Sequence, residues 1–378
     1  MRKSLHALVV LLPVLMLAAA RAAPPAAPDA IALARLDGFA LGLTEADQFS
    51  GVVLVASRDR VVFERAYGRL DAERDAAATV ATRYNLASAG KMFTSVAILQ
   101  QVAAGRVTLD TRVGEVLRDY PNRAFADAVT VRQLLTHTSG AGDVDLFGVE
   151  NAANRARVRS VADIVALHHD RPPAFIPGSR QEYGNFGFVV LGRMVEVLSG
   201  ESYEGYVERH IFAPAGMTHT GFVDCTARAP DLAVGYVTLD GRRQPNCITQ
   251  PTRGFPAGGT VSTARDMFLF TRALATGRLL PSALFAEAMR TQREFMGLGF
   301  FATDYGPDYL PRDFRWGHGG SSDGVCTDVR VFPATGETIV VLANRDPPLC
   351  FAVADFLHRQ WRRQHPAAGP VEAPRPSG

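Results

Sequence analysis

Ser88 and Lys91 stand three residues apart in Ser88-Ala89-Gly90-Lys91, at the head of an apolar run that reads as a helix. Residues at that spacing share a helix face, so the lysine amine can reach the serine hydroxyl. A hydroxyl is a poor nucleophile until a nearby base takes its proton. The free N–H groups and positive dipole end of a helix N-terminus favour negative charge beside Ser88 and can supply half of an oxyanion hole. Alone, Ser-x-x-Lys is a common pattern whose ordinary meaning is an exposed helix pair. Composition changes its meaning here: of 40 basic residues only two are lysines, Lys3 and Lys91. Arginine keeps its proton at working pH, whereas burial and neighbours can tune a lysine down. A chain that otherwise uses arginine keeps, three residues after a serine, the cation that can become a base.

Two further clusters carry chemistry. Tyr183-Gly184-Asn185 follows a loop marked by Pro177-Gly178 and precedes an apolar helix. A loop tyrosine can relay a proton and an asparagine can hold an amide or carbonyl; the plain reading is a packed tyrosine and a helix-capping asparagine. Trp316-Gly317-His318-Gly319-Gly320-Ser321 lies between expected strands. Its glycines permit close backbone approach to a ligand, or mark an ordinary Gly-rich turn with an incidental histidine.

The ordered set Ser-x-x-Lys, Tyr-x-Asn and His-Gly-Gly resembles the β-lactamase-related serine hydrolases: class C β-lactamases, D-aminopeptidases, D-alanyl-D-alanine carboxypeptidases and family VIII-type esterases. Tyr84-Asn85-Leu86-Ala87-Ser88 and Leu134-Leu135-Thr136-His137-Thr138-Ser139-Gly140 are similar to stretches of the same family. The resemblance covers residues 30–362 and matches a known motif logic of penicillin-recognising enzymes. It implies a β-lactamase/transpeptidase-like fold. It also implies Ser88 as the acylated nucleophile, Lys91 with Tyr183 as the proton-transfer groups, and Asn185 orienting the acyl side. His318, with Gly319, Gly320 and Ser321 in the substrate-binding segment, then contributes hydrogen bonding or charge beside Tyr183. Backbone N–H groups of Ser88 and Ser321 form the oxyanion hole, and His137 is structural. His318 stands where many relatives have lysine, and Asp323 adds an acid nearby. Both features favour an ester or a D-amino-acid peptide over a β-lactam with its carboxylate.

Several elements must position these groups. Ala30 to Phe49 reads as an amphipathic helix, and Gly51–Ala56 with Val61–Ala66 as a hairpin turning at Arg58-Asp59. Ser88 to Ala104 is a long helix stopped by Gly105. Short helices are expected at Val129–Thr136 and Ser160–Leu167, and longer ones at Phe186–Ser199 and Thr263–Ala275. Strands follow at Gly297–Thr303, Phe314–Gly317, Val325–Phe332 and Thr338–Asn344, then a helix over Cys350–Arg363. The pattern predicts an α/β fold of α+β type: one antiparallel sheet built from both ends of the chain, flanked by helices, with a mainly helical lobe inserted at about 107–250. A cleft between the two is a natural site.

The remaining features bound the function class. A charge of +2 without basic runs argues against nucleic acid. Residues 1–22 read as a signal peptide, with Arg2-Lys3, the apolar run Leu5–Ala20 and the Ala20-Arg21-Ala22 cleavage pattern; the alternative is a membrane anchor. The mature chain is then secreted or periplasmic, and residues 366–378 form a disordered tail. Cys225, Cys247, Cys326 and Cys350 allow two disulfides in three connectivities, sequence neighbours suggesting Cys225–Cys247 and Cys326–Cys350, or four free thiols. No cofactor is called for. His168-His169 is the one adjacent histidine pair, and nothing nearby completes a metal site. Two other classes compete with a small-molecule hydrolase: a non-catalytic binding or scaffold protein on the same fold, and a metal-dependent hydrolase.

Overall fold

Strand β1 (Gly51–Ser57) and strand β6 (Glu337–Ala343) are buried along almost their whole length, which suits their unbroken Val/Ile/Leu runs. They pair antiparallel, so the centre of the sheet joins the two ends of the chain. The computed structural model describes residues 30–304 and 314–364; the expected signal peptide and tail lie outside them. With β2 (Arg60–Tyr67), β3 (Phe301–Thr303), β4 (Arg315–Ser322) and β5 (Val325–Phe332), the sheet runs β2-β1-β6-β5-β4-β3, antiparallel throughout. This is the expected α+β arrangement. The β1–β2 turn falls at Arg58, which takes φ 57°.

Each face of the sheet covers its own core. On one face, helices α1 (Ala30–Glu45) and α5 (Leu349–Gln364) pack over Val53, Val55, Ile339 and Val341. On the other, Val52, Leu54, Val340 and Leu342 meet the larger core around α2 (Lys91–Ala103), α3 (Phe186–Ser199) and α4 (Ala264–Ala275). Helix α2 is buried on all sides from Lys91 to Leu99, the position of an apolar helix in the middle of a domain. Phe93 fixes it edge-on against Phe212 and Phe270, both at 4.9 Å. Thr263 caps α4 by accepting the Asp266 N–H at 3.1 Å, and Gly200 ends α3 in the left-handed region.

Several elements depart from the sequence reading: the strand expected over Gly297–Thr303 is confined to Phe301–Thr303, and a helix, Ser282–Met289, stands where none was expected. The His-Gly-Gly segment is not a connection: β4 continues through it to Ser322, because β5 pairs with every residue from Trp316 to Ser322. A hairpin, Tyr236–Leu239 with Arg242–Pro245, also stands in the otherwise helical stretch. Its Asp240-Gly241 turn, both residues at positive φ, is a strong hairpin signal that the reading passed over. Among the described residues no helix is long and apolar enough to cross a membrane.

Both disulfides join sequence neighbours, Cys225–Cys247 and Cys326–Cys350. The second ties the start of α5 to β5 and closes a 24-residue separation. Replacing Cys326 and Cys350 together by alanine is expected to lower the unfolding free energy by about 2–4 kcal/mol, read as a smaller urea midpoint with a steeper slope, since the unlinked unfolded chain exposes more surface.

Candidate active site

A short strand pair, Tyr84–Asn85 with Val261–Ser262, brings the chain to Ser88. Asn85 Oδ1 accepts the Ala87 N–H at 2.8 Å and holds Ala87 at φ 42°. A non-glycine residue there costs about 1 kcal/mol, and such strain collects where surrounding contacts over-determine the backbone. Ala87–Gly90 then forms a 3₁₀ turn that runs into α2 at Lys91. Ser88 therefore precedes the α-helix, where the sequence reading placed it as the first helical residue. Residues i and i+3 eclipse in a 3₁₀ turn. The spacing still brings Lys91 Nζ to 3.2 Å from Ser88 Oγ.

Lys91 has no exposed surface. Its Nζ donates to Asn185 Oδ1 at 2.6 Å and to the Ala257 carbonyl at 2.7 Å, and the rings of Tyr183 and Phe188 lie 5.0 and 5.6 Å away. Burial pushes its pKa down to about 7, against the opposing pull of the Asp143 charge. A neutral amine has two N–H bonds and one lone pair. Asn185 Oδ1 and the Ala257 carbonyl can only accept, so they take the two N–H bonds and leave the lone pair for the Ser88 proton.

Tyr183 and Asn185 come from the loop that enters α3. The loop is stitched to the His137 turn: Glu182 N–H donates to His137 O at 2.9 Å and Phe186 N–H to Gly142 O at 3.2 Å. A Cβ on Gly184 would lie 2.3 Å from Gly142 O, so only glycine fits. The His137 ring stacks on Tyr183 at 4.2 Å, and its Nδ1 accepts the Gly184 N–H at 3.3 Å. Tyr183 is 40% exposed, but its hydroxyl is turned toward Ser88, which acts on its titration. Crowding of that hydroxyl raises its pKa above the ordinary phenol value, with Ser88 opposing. Asn185 is held from its other side, where Nδ2 donates to Asp143 Oδ1 at 2.6 Å.

His318 lies behind Tyr183, ring centres 6.3 Å apart, stacked on Phe301 at 4.1 Å. It is buried, and its Nδ1 lies 2.5 Å from Gly319 O. Burial, with the Lys91 charge added, drops its pKa to about 3. His318 is therefore neutral near pH 7, which leaves hydrogen bonding, of the hydrogen bonding or charge expected of it. Gly320 allows β4 to approach the nucleophile turn, since a Cβ there would lie 2.2 Å from Leu86 O. Gly319 faces the other way, against the Phe351 ring. Ser88, Asn185, Ser321 and Gly258 line one small open cleft, while Lys91, Tyr183, His318, Gly319 and Gly320 lie outside its lining. His168, of the adjacent pair, accepts the Asp145 N–H at 3.2 Å.

Two contributors were missed in the sequence. Ala257 acts through its carbonyl, which no side-chain pattern reveals; the Gly258-Gly259 pair was the available signal. Gly258 sits at φ 147°, and a Cβ there would lie 2.3 Å from Ala87 O. Asp143 carried no signal beyond its place after the His137 turn.

The family model described as Beta-lactamase matches residues 37–360. The chain belongs to the beta-lactamase family. In sequence it is 31% identical over 316 residues to penicillin-binding protein 4 of Amycolatopsis lactamdurans, covering 78% of this chain and 80% of that protein. Among solved structures, a penicillin binding protein from Bacillus halodurans superposes with a TM-score of 0.75 at 27% identity, over 84% of this chain and 99% of that one. A D-stereospecific amidohydrolase from Streptomyces sp. gives 0.70 at 27% identity, over 87% and 99%. The β-lactamase/transpeptidase-like fold follows, and this beta-lactamase family member is a serine hydrolase.

Gly258→Ala is expected to push the Ala257 carbonyl off Lys91 and to lower the rate of Ser88 acylation about 100-fold, the scale of a 1 Å misplacement. Stopped-flow acylation by a chromogenic ester, with circular dichroism to check folding, measures it.

Proposed function

We propose that this hydrolase cleaves an ester or amide bond through an acyl intermediate on Ser88, with neutral Lys91 as the base. The observation that carries this reading is the fully buried Lys91 amine, 3.2 Å from Ser88 Oγ, with both N–H bonds engaged elsewhere. In acylation the Ser88 Oγ–carbonyl carbon bond forms as the hydroxyl proton passes to Lys91 Nζ. The tetrahedral oxyanion is held by the Ser88 and Ser321 backbone N–H groups, a role supported by the cleft these residues share. Tyr183, still protonated because its pKa is raised, gives its proton to the departing amine or alcohol and recovers one from the Lys91 ammonium. In deacylation water attacks the acyl carbon as its proton passes to Lys91; the bond from the acyl carbon to Ser88 Oγ then breaks, and Lys91 returns the proton to Oγ, which restores the hydroxyl and the neutral amine. Asn185 orients the acyl side from the cleft wall.

The cleft supports a substrate without a carboxylate at the recognition end. None of its described lining residues is charged, His318 is neutral, and the nearest fixed charge facing Lys91 is the negative Asp143. An ester or a D-amino-acid amide or peptide fits this better than a penicillin. We further propose export, supported by the N-terminal signal pattern and by two disulfides, which persist in oxidising compartments.

Ser88→Ala is expected to abolish covalent labelling by a fluorophosphonate and turnover of p-nitrophenyl acetate; labelling retained in a gel assay reassigns the nucleophile. Lys91→Arg keeps a cation that cannot deprotonate, and kcat/KM is expected to fall by about 10²–10⁴-fold. In the unaltered enzyme the active form carries neutral Lys91, so kcat/KM should decline tenfold per pH unit below about 7 and level off above it. A flat profile from pH 5 to 8 would exclude the lysine as base.

A further inference from the structure

The Asn185 amide is held between two groups of opposite hydrogen-bonding character. On one side Lys91 Nζ lies 2.6 Å from Oδ1, and on the other Asp143 Oδ1 lies 2.6 Å from Nδ2. A carboxylate only accepts, so it can take only the NH₂ end of the amide. That choice forces the carbonyl end toward Lys91. We propose that Asp143 is a positioning residue: it locks the orientation of Asn185, so that the Lys91 lone pair is left for Ser88, and it holds a counter-charge over the amine. The proposal rests on Lys91 being the base of the hydrolytic reaction.

If the amide turned over, its NH₂ would face Lys91. The amine would then meet that donor with its lone pair, and no basic electrons would point at Ser88. Asp143 is itself fixed for the task, since its Oδ1 also accepts the Val144 N–H at 2.7 Å.

The charge on Lys91 depends on every group that faces it. From the His137 turn comes His137, and from β4 comes His318; both are pushed down in pKa by burial and by Lys91, so neither is cationic near pH 7. From the loop before α3 comes Tyr183, whose hydroxyl stays protonated. Phe188 of α3 offers a ring face and the Ala257 segment a carbonyl. Asp143 is the anion among these groups, and it favours the ammonium. Its removal must make Lys91 a weaker base that is free of its proton at lower pH.

Asp143→Asn preserves the shape and removes the charge; Asp143→Ala removes the charge and the lock. Lysine labelled with ¹³C at Cε in a Lys3→Arg background gives a single signal, from Lys91, and reports its titration without any substrate. The signal should titrate near pH 7 in the parent and at least about half a unit lower in both variants. The acid limb of kcat/KM for p-nitrophenyl acetate should move down equally. On the alkaline plateau Asp143→Ala should fall about tenfold further than Asp143→Asn, because the alanine leaves Asn185 Nδ2 with no acceptor at that place, whereas an asparagine carbonyl held by the Val144 N–H can still take it. A Lys91 that titrates near 7 in the parent and is unmoved in Asp143→Asn overturns this proposal and leaves the hydrolase reading standing. A Lys91 that titrates near 10 in the parent overturns both.

Discussion

A primary amine with no access to water organises this molecule. Taking an ammonium out of solvent is unfavourable by several kcal/mol unless partners replace the water, and a lysine in such a place loses its proton instead. Lys91 meets neutral groups in place of that water: two carbonyl acceptors and one hydroxyl, with aromatic faces around them, which satisfy its N–H bonds but do not balance its charge. That incomplete compensation holds it between charged and neutral forms near pH 7. The burial of α2 on all sides keeps the amine there, and the 3₁₀ turn ahead of it points Ser88 at the amine. The rest of the architecture can be understood as the walls of this one dry compartment.

The walls come from distant parts of the sequence and meet through backbone contacts that tolerate no side chain. Gly320 lets β4 approach Leu86, Gly258 lets its segment approach Ala87, and Gly184 lets the tyrosine loop approach Gly142. At each place a Cβ would lie within 2.3 Å of a carbonyl oxygen. The nucleophile turn is thus clamped from two sides by main chain, which is stiffer than any side-chain contact. The His137 turn plays the matching part for Tyr183, through a ring stack and a ladder of N–H to carbonyl bonds. Its strong sequence pattern reflects support of the site, with no contact to Ser88 required.

How far the sequence reveals this depends on the kind of signal. The β1–β2 hairpin, α3 and β5 were legible almost to the residue, because alternation, caps and apolar runs are local. Ser88 and Lys91 were legible because lysine is so scarce in a chain rich in arginine. Beyond that the signals fade. The Gly-rich stretch of β4 has poor strand propensity and reads as a turn; pairing with β5 overrides it, and no local pattern encodes that partner. The neutrality of His318 depends on the Phe301 ring stacked on it and on burial by the folded core, both tertiary facts. Asp143 is one acid among 38 Asp and Glu residues, made special only by the amide 2.6 Å away.

The antiparallel pairing of β1 with β6 sets a timetable for synthesis. Gly51 faces Ala343, and Ser57 faces Glu337, across nearly the whole length of the chain. Such contacts form late, because a long loop must close before they repay its entropy. The first hairpin leaves the ribosome with one edge open and waits for its neighbour until almost everything else has been made. Until then β4 has no β5–β6 scaffold, and the backbone that clamps the nucleophile turn is not in place. A nascent chain of this kind has no assembled site while the sheet is open. Its hydrolytic power arises only after the final strand has slotted into the middle of the sheet.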